Sequence, residues 1–158
     1  MKIFISHKQE DSTTANQIAN ELEKCNVEYY LDVLDTSVIH NSRQLTNHIR
    51  NSLNQCTDII VVMSSATRLS QWVPFEVGMA AQANMPTATF FKENVRLPEF
   101  LEDWPRLKKA TDIWEYVSAS EDVDQEYLPI YEEAGGYDDE TFRQKRVERF
   151  YDLLKKRL

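Results

Sequence analysis

Trp72 and Glu76 end the segment Ser64 to Glu76, which reads S-S-A-T-R-L-S-Q-W-V-P-F-E. On a helix, a spacing of four puts the indole and the carboxylate on one face. The segment follows an unbroken run, Asp58-Ile59-Ile60-Val61-Val62-Met63, whose apolar length suits a fully buried strand. A large aromatic beside an acid, on the helix leaving the carboxyl end of a central strand, stands where an open α/β sheet places a ligand. The pair is therefore the first candidate for a site, with Glu76 as its charged group and Trp72 as its wall.

Other polar residues converge on the same edge. Ser6, His7 and Lys8 follow the first strand, Asp32 and Asp35 the second, and Ser64 and Ser65 the third. Each also has a purely structural explanation. Ser6 and Ser64 can cap strand ends, Lys8 can be solvated, Asp32 can start a turn, and Trp72 can be core with Glu76 satisfying backbone donors. Their convergence on one edge favours a site.

The elements that must position them alternate strand and helix. Lys2 to Ser6 predicts a strand, and Ser12 or Thr13 caps a helix with Ala15, Ile18, Ala19, Leu22 and Cys25 at helical spacing. Val27 to Val33 predicts the second strand. Ser42 caps a helix carrying Leu45, Ile49, Leu53 and Cys56; Asp58 to Ser64 is the third strand, and the third helix runs from residue 70 or 74 to 84. Thr87 to Phe91 and Asp112 to Val117 are further strand candidates. Regular alternation with short connections predicts a parallel sheet of roughly five strands, covered by helices on both faces.

At 158 residues the chain is expected to form one domain, long enough to bury roughly two-thirds of its unfolded surface. The core would span 1–117. Residues 118–138, acidic and containing Pro129 and Gly135-Gly136, predict an irregular excursion, and 139–158 a final helix with Val147, Phe150, Tyr151, Leu154 and Leu158 on one face.

The net charge of −8 is regional: residues 1–109 hold 11 basic and 13 acidic side chains, 110–142 none and 11, and 143–158 hold 7 and 2. An acidic belt facing a basic last helix implies internal compensation and argues against a nucleic-acid partner, which needs clustered Lys and Arg. The apolar start, Met1 to Ser6, is too short for a signal peptide, and no later run approaches the ~18 apolar residues of a membrane span. A soluble, cytoplasmic protein without membrane contact is expected. Cys25 and Cys56 suit small hydrophobes in a reducing compartment.

Several chemistries are excluded by composition. With only Gly78, Gly135 and Gly136, no G-x-G-x-x-G turn or G-x-x-x-x-G-K-[ST] loop exists. Helix N-termini and side chains would have to hold any phosphate. His7, His40 and His48 do not cluster with ligands at metal spacing, so no metal is expected. No G-x-S-x-G elbow is present. A phosphoacceptor receiver would need paired acids after the first strand, where the chain reads Ser6-His7-Lys8-Gln9.

K-I-F-I-S-H at the start, Y-L-D ending the second strand and above all S-x-x-x-x-x-S-x-W-x-x-x-E resemble a Toll/interleukin-1 receptor (TIR) domain of the free-standing bacterial kind. The likeness covers roughly residues 1–92. It implies a flavodoxin-like fold with a five-stranded parallel sheet, and it puts Glu76 at the position of the glutamate that cleaves NAD⁺ in enzymatic members. It carries the nucleotide cleft to Ser6, His7 and Lys8 by position. It further implies self-association on activation, antiphage or stress signalling, and a downstream effector answering to an ADP-ribose-derived product. The loop Val33 to Gln44, with neither Pro nor Gly, departs from the Arg-Asp…Pro-Gly box of animal adaptor members.

The implied reaction needs few groups. Nicotinamide in NAD⁺ is a cationic leaving group that departs neutral, so no general acid is required. Positive charge developing at the ribose C1′ can be stabilised by one carboxylate, Glu76, which can also grip the ribose hydroxyls. Were Pro74 the first helical residue, Glu76 would lie in the first turn, where the helix dipole favours its ionised form. Trp72 would wall the site, Lys8, Ser6 and Ser64 would hold the diphosphate, and Asp35 would border the cleft. NAD⁺ is then the substrate, with no separate cofactor. The expected activity is a glycohydrolase that extends to ADP-ribosyl cyclisation or transfer; a non-catalytic TIR interaction module and a nucleoside deoxyribosyltransferase-like enzyme are the alternatives.

Overall fold

The computed structural model describes residues 1–33, 42–91, 95, 98–133, 135 and 139–158. Five parallel strands form one sheet: β1 (Lys2–His7), β2 (Glu28–Val33), β3 (Asp58–Met63), β4 (Thr87–Phe91) and β5 (Arg106–Leu107), in the order β2-β1-β3-β4-β5. This is the flavodoxin-like order, with its switch point beside β1 and β3. Among the described residues the flanking helices are α1 (Ser12–Lys24), α2 (Ser42–Leu53), α3 (Trp72–Gln82), α4 (Asp112–Glu133) and α5 (Glu140–Arg157). None of them is long and apolar enough to cross a membrane.

The pleat sorts alternate strand residues to two cores. Ile3, Ile5, Ile60 and Val62 pack with Ile18 and Leu22 of α1, Tyr116 of α4 and Phe150 of α5. Phe4, Ile59, Val61 and Met63 pack on the other side with Leu45 and Ile49 of α2 and Val73 and Val77 of α3. A strand buried on both faces has no polar side to alternate with, which is why β3 reads as a continuous apolar run.

In a chain this poor in glycine, asparagine ends the helices that lead into strands. Asn26 (φ 55°) and Asn84 (φ 52°) adopt the left-handed conformation after α1 and α3. Asn26 N donates to Glu23 O and Val27 N to Leu22 O, and Asn84 N donates to Ala81 O and Met85 N to Ala80 O. Both are Schellman closures, in which a short polar side chain tolerates the positive φ.

Three sequence expectations change. The fifth strand is Arg106–Leu107, and Asp112 to Val117 is the beginning of α4. Ile113, Tyr116, Val117, Ser120 and Val123 are buried at helical spacing, while Trp114 is 53% exposed and donates its indole N–H to Glu21 at 2.8 Å. The acidic stretch expected to be irregular continues this helix to Glu133, with Pro129 inside it. Pro129 lies on the exposed face, where the carbonyl of Gln125, deprived of its amide donor, is open to water. The expected charge compensation takes the form of pairs across α4 and α5: Asp124 with Arg146, Glu126 with Arg149 and Asp122 with Arg157.

At the amino edge of the sheet, Asp58 opens β3 with its carboxylate buried. It accepts hydrogen bonds from Tyr116 Oη at 2.8 Å and Thr57 Oγ1 at 2.5 Å. Tyr151 of α5 accepts from the Thr87 amide at 2.9 Å. These bonds dock the last two helices on one end of the sheet and leave the other end to the candidate site.

Candidate active site at the carboxyl edge of the sheet

Ser6 lies near the carboxyl end of β1, between Asp32 of β2 and Val61 of β3 in the parallel register, and is fully buried. His7 is also buried, and its Nδ1 lies 3.2 Å from Ile5 O. A carbonyl only accepts, so this nitrogen carries a proton. Lys8, half-buried, leads into a single 3₁₀ turn, Gln9–Asp11, before α1.

The helix that carries Glu76 is started by Ser70. Its Oγ accepts from the amides of Trp72 (3.2 Å) and Val73 (3.3 Å), which caps donors that have no partner within the helix. The helix begins at Trp72, so Pro74 is its third residue, inside the first turn where a missing N–H is harmless. Glu76 consequently sits in the second turn. The expectation that it lies in the first turn is corrected, and with it the strength of the helix-dipole argument, since that field fades beyond the first turn.

The buried residues of α3 are Val73, Glu76, Val77 and Ala80. Glu76 thus occupies a position in the core-facing stripe where an apolar side chain is the rule, and it is fully buried. Its carboxylate accepts a hydrogen bond from Ser6 Oγ. Trp72, one turn earlier, is half-buried against the α2–α3 core and stands edge-on to Phe75, with ring centroids 6.0 Å apart. Phe75 is 37% exposed. The aromatic pair therefore reaches from the core to the surface along the same helix that carries the carboxylate.

Ser64 has a different set of partners. Its buried Oγ donates to Asp11 Oδ2 at 2.5 Å and accepts from the amides of Ala66 (3.1 Å) and Thr67 (3.2 Å). Thr67 Oγ1 donates to the same Asp11 oxygen at 2.6 Å. The next residue, Ser65, is exposed. Asp35 lies outside the described residues.

Neither Asp11 nor Thr67 stands out in the sequence. An aspartate just before a helix reads as an ordinary N-cap, and only the fold brings it to the loop after β3. Cys25 and Cys56 are partly buried free thiols whose pKa is pushed up mainly by burial, which suppresses the reactive thiolate.

The arrangement joins one buried carboxylate to a strand-end hydroxyl at the sheet's switch point, beside an aromatic wall. A carboxylate so placed can stabilise a developing cation or accept hydrogen bonds from a diol. Comparison with protein families gives a match to the TIR domain over residues 3–126, from β1 into α4. No curated protein sequence matches the chain. The match covers most of the chain, including all of the sheet but Lys2 and both Ser6 and Glu76, so the chain belongs to the TIR-domain family.

Proposed function

We propose that this TIR domain cleaves the nicotinamide–ribose bond of NAD⁺, with Glu76 as the catalytic carboxylate. The observation that supports this most is the burial of Glu76 at the carboxyl edge, hydrogen-bonded to Ser6. An acid in a core-facing helical position is costly to keep unless it has a task. As the C1′–N bond breaks, its electron pair leaves with nicotinamide, and the ribose ring takes up the positive charge that Glu76 stabilises. Water then adds at C1′ and releases a proton, giving ADP-ribose. A ribose hydroxyl or base nitrogen at the same carbon would give cyclised or transferred products.

In this proposal the ribose diol takes over hydrogen bonding to Glu76 from Ser6, Trp72 and Phe75 wall the nicotinamide side, and Lys8 neutralises the diphosphate. Self-association would complete the cleft, so that activity per molecule rises with protein concentration.

An interaction module without catalysis and a deoxyribosyltransferase-like enzyme are the competing readings. The test is incubation of purified protein with NAD⁺ and, separately, with a deoxynucleoside, followed by mass spectrometry of the products. Free nicotinamide supports the enzyme, and the accompanying product identifies hydrolysis, cyclisation or transfer. Free base from the deoxynucleoside alone would replace the NAD⁺ assignment with a deoxyribosyltransferase-like one. No free base from either, at concentrations where light scattering shows assembly, would leave the interaction module.

A further inference from the structure

Asp11 stands immediately before α1, yet its side chain makes no cap to that helix. The carboxylate reaches instead across 53 and 56 residues of sequence to Ser64 Oγ and Thr67 Oγ1, and it is 1% exposed. Ser64 Oγ in turn holds the amides of Ala66 and Thr67. From Thr67 the chain makes a single 3₁₀ turn, Thr67–Leu69, then reaches Ser70, which caps α3. One buried carboxylate therefore ties the loop after β1, which follows Ser6, to the lead of the helix that carries Trp72 and Glu76.

We propose that Asp11 is a positioning residue for Glu76: through Ser64 and Thr67 it fixes the start of α3, and so the placement of the Glu76 carboxylate against Ser6. The link runs through hydroxyl groups, so it depends on two donors meeting one acceptor oxygen. This inference rests on the NAD⁺-cleaving reading for its effect on rate, while the clasp itself can be read without any activity.

Steady-state NAD⁺ cleavage by Asp11→Asn, Thr67→Val and Thr67→Ser, alongside wild type, tests it. Misplacing a group that acts in the transition state lowers kcat more than it raises KM, so Asp11→Asn and Thr67→Val are expected to lose about tenfold or more in kcat with KM nearly unchanged. Thr67→Ser, which keeps the hydroxyl, is expected to restore kcat to within about twofold of wild type. The Thr67 pair carries the test should Asp11→Asn not fold. A Thr67→Val enzyme with wild-type kcat, or a Thr67→Ser enzyme as slow as Thr67→Val, would overturn the proposal.

Amide hydrogen exchange on the same proteins separates this from failure of the functional reading. Thr67→Val should speed exchange at Ala66, Thr67, Trp72 and Val73 while α5 keeps its protection. If wild type cleaves no NAD⁺, the functional reading falls, and unchanged exchange at these amides would remove the positioning role as well.

Discussion

Ser6 donates its hydroxyl proton to the Glu76 carboxylate across 70 residues of sequence, and both side chains are fully buried. The bond joins the end of the strand at the sheet's switch point to the second turn of α3. It links the two residues on which the proposed chemistry most depends.

Glu76→Gln tests the carboxylate directly. Glutamine keeps the length, the helix propensity and a carbonyl oxygen that can accept from Ser6, but it removes the charge. NAD⁺ cleavage should fall about a hundredfold or more while the melting temperature stays level or rises, because a buried charge has been removed. Turnover within a few-fold of wild type would eliminate Glu76 as the catalytic group.

Ser6→Ala leaves a buried carboxylate oxygen without that donor. The expected cost is about 1–3 kcal/mol in urea unfolding, the usual range when one partner of a buried hydrogen bond is deleted. In a double-mutant cycle with Glu76→Ala, which removes the acceptor, the two changes should be non-additive by more than about 0.5 kcal/mol. Strict additivity would mean that the bond contributes nothing to stability.

Trp72→Ala separates wall from core. Because Trp72 is only half-buried, the change should cost less than the roughly 3–5 kcal/mol of a fully buried tryptophan, while the KM for NAD⁺ rises. An insoluble or unfolded variant would assign the indole to the core.

Asp58 gives a pH dependence remote from the site. Burial raises its pKa above the ordinary aspartate value, opposed in part by the hydrogen bonds from Thr57 and Tyr116. A carboxyl whose folded pKa exceeds its unfolded pKa binds more protons in the folded state between the two values. Its contribution to stability is therefore most favourable below the unfolded pKa and declines as pH rises through the folded one. Subtracting the unfolding free energy of Asp58→Asn from that of wild type across the acid range should reveal this decline. A difference that is flat or rises with pH would show that the folded carboxyl is not shifted upward.

The sequence alone determined the parallel sheet and its two-sided burial. Ile3, Phe4 and Ile5 in β1 and the run Ile59 to Met63 in β3 are apolar at every position because both sheet faces are covered. It also singled out Ser6, Trp72 and Glu76, since an acid and an indole at helical spacing are conspicuous beside such a strand. The beginning of α4 was misread because Ile113-Trp114-Glu115-Tyr116-Val117 is rich in strand formers and too short to reveal its period; the helical repeat emerges only when Ser120 and Val123 are seen on the same buried face. What the tertiary structure decided was contact. Parallel pairing of β1 with β3 brings the strand ends side by side, so that Ser6 meets Glu76, while Asp11 turns from its own helix to Ser64 and Thr67. Hydrogen bonds between residues so far apart leave no periodicity in the chain, because they depend on the order in which the strands assemble and not on local spacing.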